Sequence, residues 1–150
     1  MPRRLGFLVA VVGALVLLTA VAAPGAATSK YARITIHKAV CPHDETSDIF
    51  DNCHSHKLGG VAFGVTNPTG HTTVRATDSH GVASFGPRAG HNVVAEDPSV
   101  LNQYVGAYVY CKDQPSGYVF FDGPLNHPHN AVVLNTWGGA QVICDWYDLT

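Results

Sequence analysis

A lysine on the apolar face of a predicted strand is the first residue in this sequence whose chemistry needs an explanation. The stretch ITIHKAVC alternates apolar and polar residues with period two, which is typical of a β-strand. Ile34, Ile36 and Val40 share one face of this strand, and Lys38 falls on that same face. An unpaired ammonium in apolar surroundings is costly. We therefore expect Lys38 either to have a buried partner or to reach solvent through its flexible side chain.

Four cysteines offer a second kind of chemistry. In an exported chain, four cysteines usually form two disulfides, and three pairings are possible. We favour Cys41 with Cys53, a bridge that closes the loop after the first strand. We also favour Cys111 with Cys144, because each lies at the end of an apolar strand face. Each bridge would stabilise the fold by about 2–4 kcal/mol.

Histidines accompany the first cysteine pair and raise the alternative of a metal site. Imidazole and thiolate are zinc ligands, but the spacing of CPH and CHSH matches no zinc motif known to us. The cysteines of an exported chain are also better used in a disulfide. His43, His54 and His56 alone could still bind zinc or copper. An extracellular metal-binding module is therefore the alternative function, although we predict solvated loop histidines and no cofactor.

The first 27 residues predict export. Arg3 and Arg4 precede an apolar run from Leu5 to about Ala23, and small residues follow, as in a secretory signal peptide. We place the cleavage after Ala27. An uncleaved membrane anchor is the alternative, because the run is nearly long enough to span a bilayer.

Residues 28–150 are predicted to form one secreted domain, free of the membrane once the signal is cleaved. They keep seven of the nine Lys and Arg against all eleven Asp and Glu, so their net charge is about −4. This acidic balance, without a basic patch, argues against a nucleic-acid partner. We find no GxSxG elbow, no phosphate-binding loop and no paired catalytic carboxylates, and therefore predict that the protein is not an enzyme. The closing Tyr-Arg-Gly-Ser signature of transthyretin-like hydrolases is also absent.

Short β-rich runs separated by turn formers fill the rest of the chain. The runs are YARITIHKAV, GVAFGVT, TTVRA, GVASFG, NVVAE, QYVGAYVYC, GYVFFD, NAVVL and AQVICDWYD. Breaks such as NPTG, DSHG and DQPSG are rich in Gly, Pro, Asn and Asp. This spacing predicts an all-β fold, an antiparallel sandwich or barrel. The polar segment PHDETSDIFDNCHSHKLGG is predicted to be a surface loop held by its cysteines.

The order of three motifs is similar to a known family. The matching residues are Leu58, Gly60, Val61, Phe63 and Val65, then Thr77, Asp78 and Gly81, then Gly90, Val94, Glu96 and Tyr104. This series, together with the closing CDWYDLT, resembles the Cna B-type, or SpaA-like, domain of Gram-positive surface proteins and pili. The resemblance covers about residues 32–149 and implies a prealbumin-like, immunoglobulin-like β-sandwich. The chain departs from the family pattern at Asn92 or Val93, at Pro98, and at Asp148, where many relatives have asparagine.

The resemblance also implies a chemistry for the inward lysine. Many domains of this family form an amide bond between a lysine on the first strand and an asparagine or aspartate on the last, assisted by an acidic residue. The corresponding residues here are Lys38, Asp148 and Glu96. Burial would favour the neutral, nucleophilic amine and the protonated carboxyl, while Glu96 would move protons. An ordinary salt bridge of Lys38 is the alternative, because Asp148 lies two residues from the end of the sequence, where strands often fray.

These residues together predict a function that works through a surface. We expect a secreted structural or adhesive domain, monomeric, that acts on an extracellular protein or surface ligand which the sequence does not identify.

Overall fold

Nine strands and two short helices make up the part of the chain that the structure, a computed structural model, describes: residues 29–42, 48–125 and 130–150. The predicted signal peptide and His43 lie outside these residues. The strands are β1 (Arg33–Cys41), β2 (Ala62–Thr66), β3 (Thr72–Ala76), β4 (Val82–Phe85), β5 (Gly90–Glu96), β6 (Gly106–Asp113), β7 (Val119–Leu125), β8 (Ala131–Thr136) and β9 (Gln141–Leu149). The helices are α1 (Ile49–Cys53) and α2 (Pro98–Leu101). Each of the nine predicted runs overlaps one strand, and the predicted all-β sandwich is confirmed.

Two sheets form the layers of this sandwich. The five-stranded sheet has the order β4-β1-β9-β6-β7, and the four-stranded sheet has the order β3-β2-β5-β8. All neighbouring strands are antiparallel except β1 and β9, which run parallel in register from Arg33 opposite Gln141 to Cys41 opposite Leu149. The opening and closing strands of the domain are therefore direct neighbours.

The end of β9 is held firmly rather than frayed. The backbone N–H of Thr150 donates to the Cys41 carbonyl over 3.0 Å, and that of Val105 donates to the Leu149 carbonyl over 2.9 Å. These bonds attach the last residues to two other segments. The position of Asp148, two residues from the end of the sequence, is thus as well ordered as a strand interior.

The core lies between the sheets and follows the period-two pattern of the strands. Ile34, Ile36, Val94 and Trp146 are fully buried, and Trp146 meets Phe63 edge to face with 5.2 Å between ring centroids. Fully burying a large apolar side chain contributes about 1.5–3 kcal/mol. This packing fixes the separation of the two sheets and hence the distance between any side chains that point inward from opposite layers.

Both predicted disulfides are present. Cys111 and Cys144 are joined across an aligned pair of β6 and β9, and Cys41 is joined to Cys53. The second bridge holds α1 beside the end of β1, where the sequence predicted only a loop. The prediction missed this helix because its five residues are too few to show a helical period.

Candidate functional site

Lys38 lies in the interior of the sandwich, with no exposed surface. Its backbone is fixed on both sides, since its N–H donates to the Gly81 carbonyl over 2.7 Å and its carbonyl accepts from the Leu58 N–H over 3.0 Å. A Cβ at Gly81 would lie 2.4 Å from the Lys38 carbonyl oxygen, and Gly81 has φ +71°. Only glycine permits this close approach in that conformation. The turn glycine therefore sets the position of the buried lysine.

Two carboxyl groups surround the Lys38 amine. Its Nζ lies 2.9 Å from Oε1 and 3.1 Å from Oε2 of Glu96, and it contacts Oδ1 of Asp148. None of the three side chains is exposed to solvent. The structure thus brings together the three residues that the sequence singled out, here called the buried triad.

The five-stranded sheet supplies two residues of the buried triad, and the four-stranded sheet supplies the third. Lys38 and Asp148 come from the neighbouring strands β1 and β9, where Lys38 is aligned with Trp146 and Asp148 with Val40. A two-residue offset keeps both side chains on the same face. Glu96 reaches the amine from β5 in the other sheet. Its backbone is held by Asn130, whose Nδ2 donates to the Glu96 carbonyl over 2.6 Å.

Burial changes the protonation of both acids. It raises the pKa of Glu96 from 4.5 to about 7; the positive charge of Lys38 lowers it in part, and the negative charge of Asp148 adds to the rise. Burial also raises the pKa of Asp148, and again the attraction of Lys38 opposes the rise. One positive charge cannot compensate two buried negative charges. Both carboxyl groups therefore hold a proton more readily than free carboxyl groups do.

Aromatic side chains line the buried triad and exclude water from it. The Phe63 ring centroid lies 5.9 Å from Nζ of Lys38. The pKa of Tyr104 is raised by burial and by the charges of Asp148 and Glu96, which places this tyrosine near the two acids. In the described structure, neither Asp148 oxygen has a hydrogen bond from a backbone N–H or a hydroxyl. Among the described residues, its carboxyl group contacts the Lys38 amine and lies close to Glu96 and Tyr104.

Such an arrangement suits amide formation. An amine, a carboxyl group with raised pKa and a second acid that titrates near neutrality are held in contact without solvent. Contact between the reacting groups can contribute on the order of 7–11 kcal/mol to lowering a barrier. Proton transfer by a positioned acid contributes a further factor of about 10²–10⁴ in rate.

The candidate metal ligands gain no support from the structure. Cys41 and Cys53 are joined in a disulfide, and Nδ1 of His54 lies 2.8 Å from the Phe50 carbonyl oxygen. Within residues 29–42, 48–125 and 130–150, no three His, Cys, Asp or Glu side chains form a group that could hold a metal ion. Across the same residues, no helix is long and apolar enough to cross a membrane.

Comparison with known proteins finds similarity among solved structures only. No protein-family model matches the chain, and no curated protein matches it. A variant of the major pilin from Streptococcus pyogenes is similar at 14% identity and a TM-score of 0.42, covering 81% of this chain and 48% of the pilin chain. The unmodified major pilin is similar at 15% identity and a TM-score of 0.39, with the same coverage. The chain spans about half the length of these pilins.

The fold assignment rests on the two sheets and their strand order, and the candidate site rests on the contacts within the buried triad.

Proposed function

We propose that residues 28–150 form a secreted structural domain of a bacterial surface, crosslinked by an amide bond between Nζ of Lys38 and Cγ of Asp148. The observation that carries this proposal is the contact of a fully buried lysine with two fully buried carboxyl groups, one on the adjacent terminal strand. The bond would replace a buried ion pair, whose desolvation is costly, with a neutral group.

The reaction needs no co-reactant. A proton passes from the Lys38 ammonium to a carboxylate of the buried triad, which leaves a neutral amine and a protonated Asp148. The amine nitrogen attacks Cγ, and Glu96 takes a proton from that nitrogen and delivers a proton to the departing hydroxyl. The C–N bond forms, the C–OH bond breaks, and one water molecule leaves. Glu96 ends in its starting state.

A crosslink at this position would protect the domain against tension. Because β1 and β9 are parallel neighbours, pulling on the two ends of the domain loads this strand pair in shear. The bond lies near the end of β9, so force entering from that end would pass through Asp148 to Lys38 and back along β1. The remaining strands would then carry little load. This behaviour suits a structural role in which the domain is pulled through its ends.

Intact mass measured after full reduction tests the proposal. We expect the mature protein to be lighter than its linear sequence by one water molecule, and we expect Glu96→Ala to keep the full linear mass. Asp148→Asn provides a matched variant, since an amide bond formed there releases ammonia instead of water. The crosslinked products of the two proteins are chemically identical and should have the same mass. A wild-type protein of full linear mass would refute the crosslink.

A further inference from the structure

A second group of cations lies at the end of the sandwich where β1 begins, away from the buried triad. Two adjoining cavities of about 240 Å³ and 510 Å³ open there, and they share Tyr31 and Gly86 in their walls. We call this pair of cavities the arginine cleft. Arg75 and Arg88 line the smaller cavity, and Arg33 lines the larger one.

The charge of the arginine cleft contrasts with the acidity of the chain. The cleft holds all three arginines of the described residues, and no described Asp or Glu lines either cavity. Every ion pair among the described residues involves His37 or Lys38. None of the three arginines therefore has a described carboxylate within 4.0 Å. The three arginines of the described residues thus lie around one concave surface and form no ion pair with a described carboxylate. Such a surface attracts anions.

The walls of the smaller cavity are held in place before any ligand binds. The guanidinium carbon of Arg75 lies 6.0 Å from the centroid of the Phe85 ring. The backbone of Arg88 pairs with Tyr31, and its carbonyl accepts from Nδ2 of Asn92 over 2.9 Å. Little backbone entropy would therefore be lost on binding at this end of the cleft.

The rim beside Arg75 is equally well ordered. Oδ1 of Asn67 accepts from the backbone N–H groups of Thr69 at 2.9 Å and His71 at 3.1 Å, which fixes the turn between β2 and β3. Asn67 and His71 both line the smaller cavity. The turn therefore offers polar groups next to the guanidinium of Arg75.

We propose that the arginine cleft binds an acidic polysaccharide whose sugar units carry carboxylates. Arg75 and Arg88 would hold one carboxylate, because the guanidinium group matches the planar, two-oxygen geometry of that anion. Arg33 would receive a neighbouring anionic unit in the larger cavity. A cavity of 240 Å³ is smaller than a typical drug-sized site and suits one sugar unit.

The rest of the lining favours a sugar over other polyanions. The smaller cavity combines the half-exposed ring of Tyr31 with the hydroxyl of Thr73, whereas Val65 and Phe85 line it as buried core residues with little exposed surface. Sugars likewise present an apolar face and polar edges. The three arginines of the cleft are few compared with the many phosphate contacts through which nucleic acid mainly binds.

Calorimetric titration of the intact, oxidised protein with a tetrasaccharide of alternating glucuronate and N-acetylglucosamine tests this site. We expect saturable binding that weakens roughly tenfold to hundredfold in Arg75→Gln and in Arg88→Gln, as the loss of a charge-assisted hydrogen bond predicts. Lys112→Gln is the matched control, because it removes one positive charge from a residue outside the cleft, and it should bind as the wild type does. The methyl-esterified tetrasaccharide should bind at least about tenfold more weakly.

Several results would overturn the proposal. These are equal affinity for the esterified sugar, equal loss in Lys112→Gln, absence of binding, or tighter binding of a glycerol phosphate oligomer than of the tetrasaccharide. Thermal unfolding of each variant checks that the fold is intact. The crosslink is unaffected by any of these outcomes, so the two proposals fail independently.

Discussion

Asp113 and Asp148 are both buried aspartates near strand ends, and their pKa values shift in opposite directions. Asp113 accepts hydrogen bonds from the backbone N–H and the hydroxyl of Ser116, at 3.1 and 2.6 Å, and from the Gln141 N–H at 2.8 Å. Burial raises the pKa of Asp113, but these bonds together lower it below its usual value. Deeper burial raises the pKa of Asp148, and the charge of Lys38 and the side-chain hydrogen bonds of Lys38 and Glu96 offset this rise only in part.

The difference shows that depth of burial and the number of hydrogen-bond donors together decide what an aspartate inside a protein can do. A carboxylate with several donors is held in its charged form and acts as a structural connection between segments. A buried carboxyl without them keeps its proton more readily, and a neutral acid is the form that an amine can attack. The same residue type is thus structural in one place and potentially reactive in the other.

Removal of the amine should give the largest effect. In Lys38→Met, we expect the free energy of unfolding to fall by about 4 kcal/mol, because a crosslink that closes a loop of about 100 residues contributes that amount. Methionine fills a similar volume, so packing losses should stay small. Urea unfolding measures the change.

The control for this variant is Lys112→Met on β6, which should change stability by less than about 0.5 kcal/mol, as surface substitutions usually do. Equal stability of Lys38→Met and wild type would mean that the reactive carboxyl contributes no crosslink. Asp148 and Asp113 would then differ in their pKa values but not in covalent reactivity.

Loss of the structural carboxylate should have a smaller effect. Asp113→Ala leaves the Gln141 N–H and two Ser116 donors without their acceptor, which should cost about 1–3 kcal/mol. Asp113→Asn keeps one acceptor oxygen and should lose less. The same urea experiment checks both, and intact mass should show the crosslink unchanged. A missing crosslink in Asp113→Ala would show that the two aspartates do not act independently.

The smallest expected effect is a change of the crosslinking rate with pH, which should depend on the buried triad and not on Asp113. The reactive state of the buried triad is neutral overall: an amine and two protonated acids, or equivalently an ammonium, one carboxylate and one acid. Because the pKa of Glu96 is raised to about 7, that state is full at lower pH and is lost as pH rises through about 7. The rate of crosslinking should therefore fall about tenfold per pH unit well above 7.

Refolding of urea-denatured, uncrosslinked protein into buffers of different pH, with mass spectrometry at timed intervals, measures this rate. Asp113→Asn should follow the wild-type profile. A rate that rises with pH through 7 would show that deprotonation of the triad promotes the reaction and would contradict the assigned role of Glu96.

Local periodicity was sufficient to predict the strands and the inward position of Lys38. Both follow from alternation within a few residues, and the disulfides follow from cysteines at the ends of such faces. The roles of Glu96 and Asp148 came from family resemblance, since no local pattern connects positions on three separate strands. Asp113 was not singled out, because its donors come from a turn and from the start of β9.

Features that depend on contacts between distant segments could not be predicted. The parallel direction of the β1–β9 pair is one: the resemblance implied that the first and last strands are neighbours, but alternation within each strand does not show their relative direction. The arginine cleft is another, since Arg33, Arg75 and Arg88 are scattered along the sequence and meet only when β1, β3 and the turn after β4 assemble.

A tryptic peptide map of the reduced and alkylated protein tests the central claim most directly. Acylation of Lys38 blocks cleavage after it, so the crosslink predicts one branched peptide of residues 34–57 and 113–150, lighter than the sum of its two linear parts by one water molecule. Fragmentation should place the branch between Lys38 and Asp148. Separate linear peptides 34–38, 39–57 and 113–150 would contradict the account.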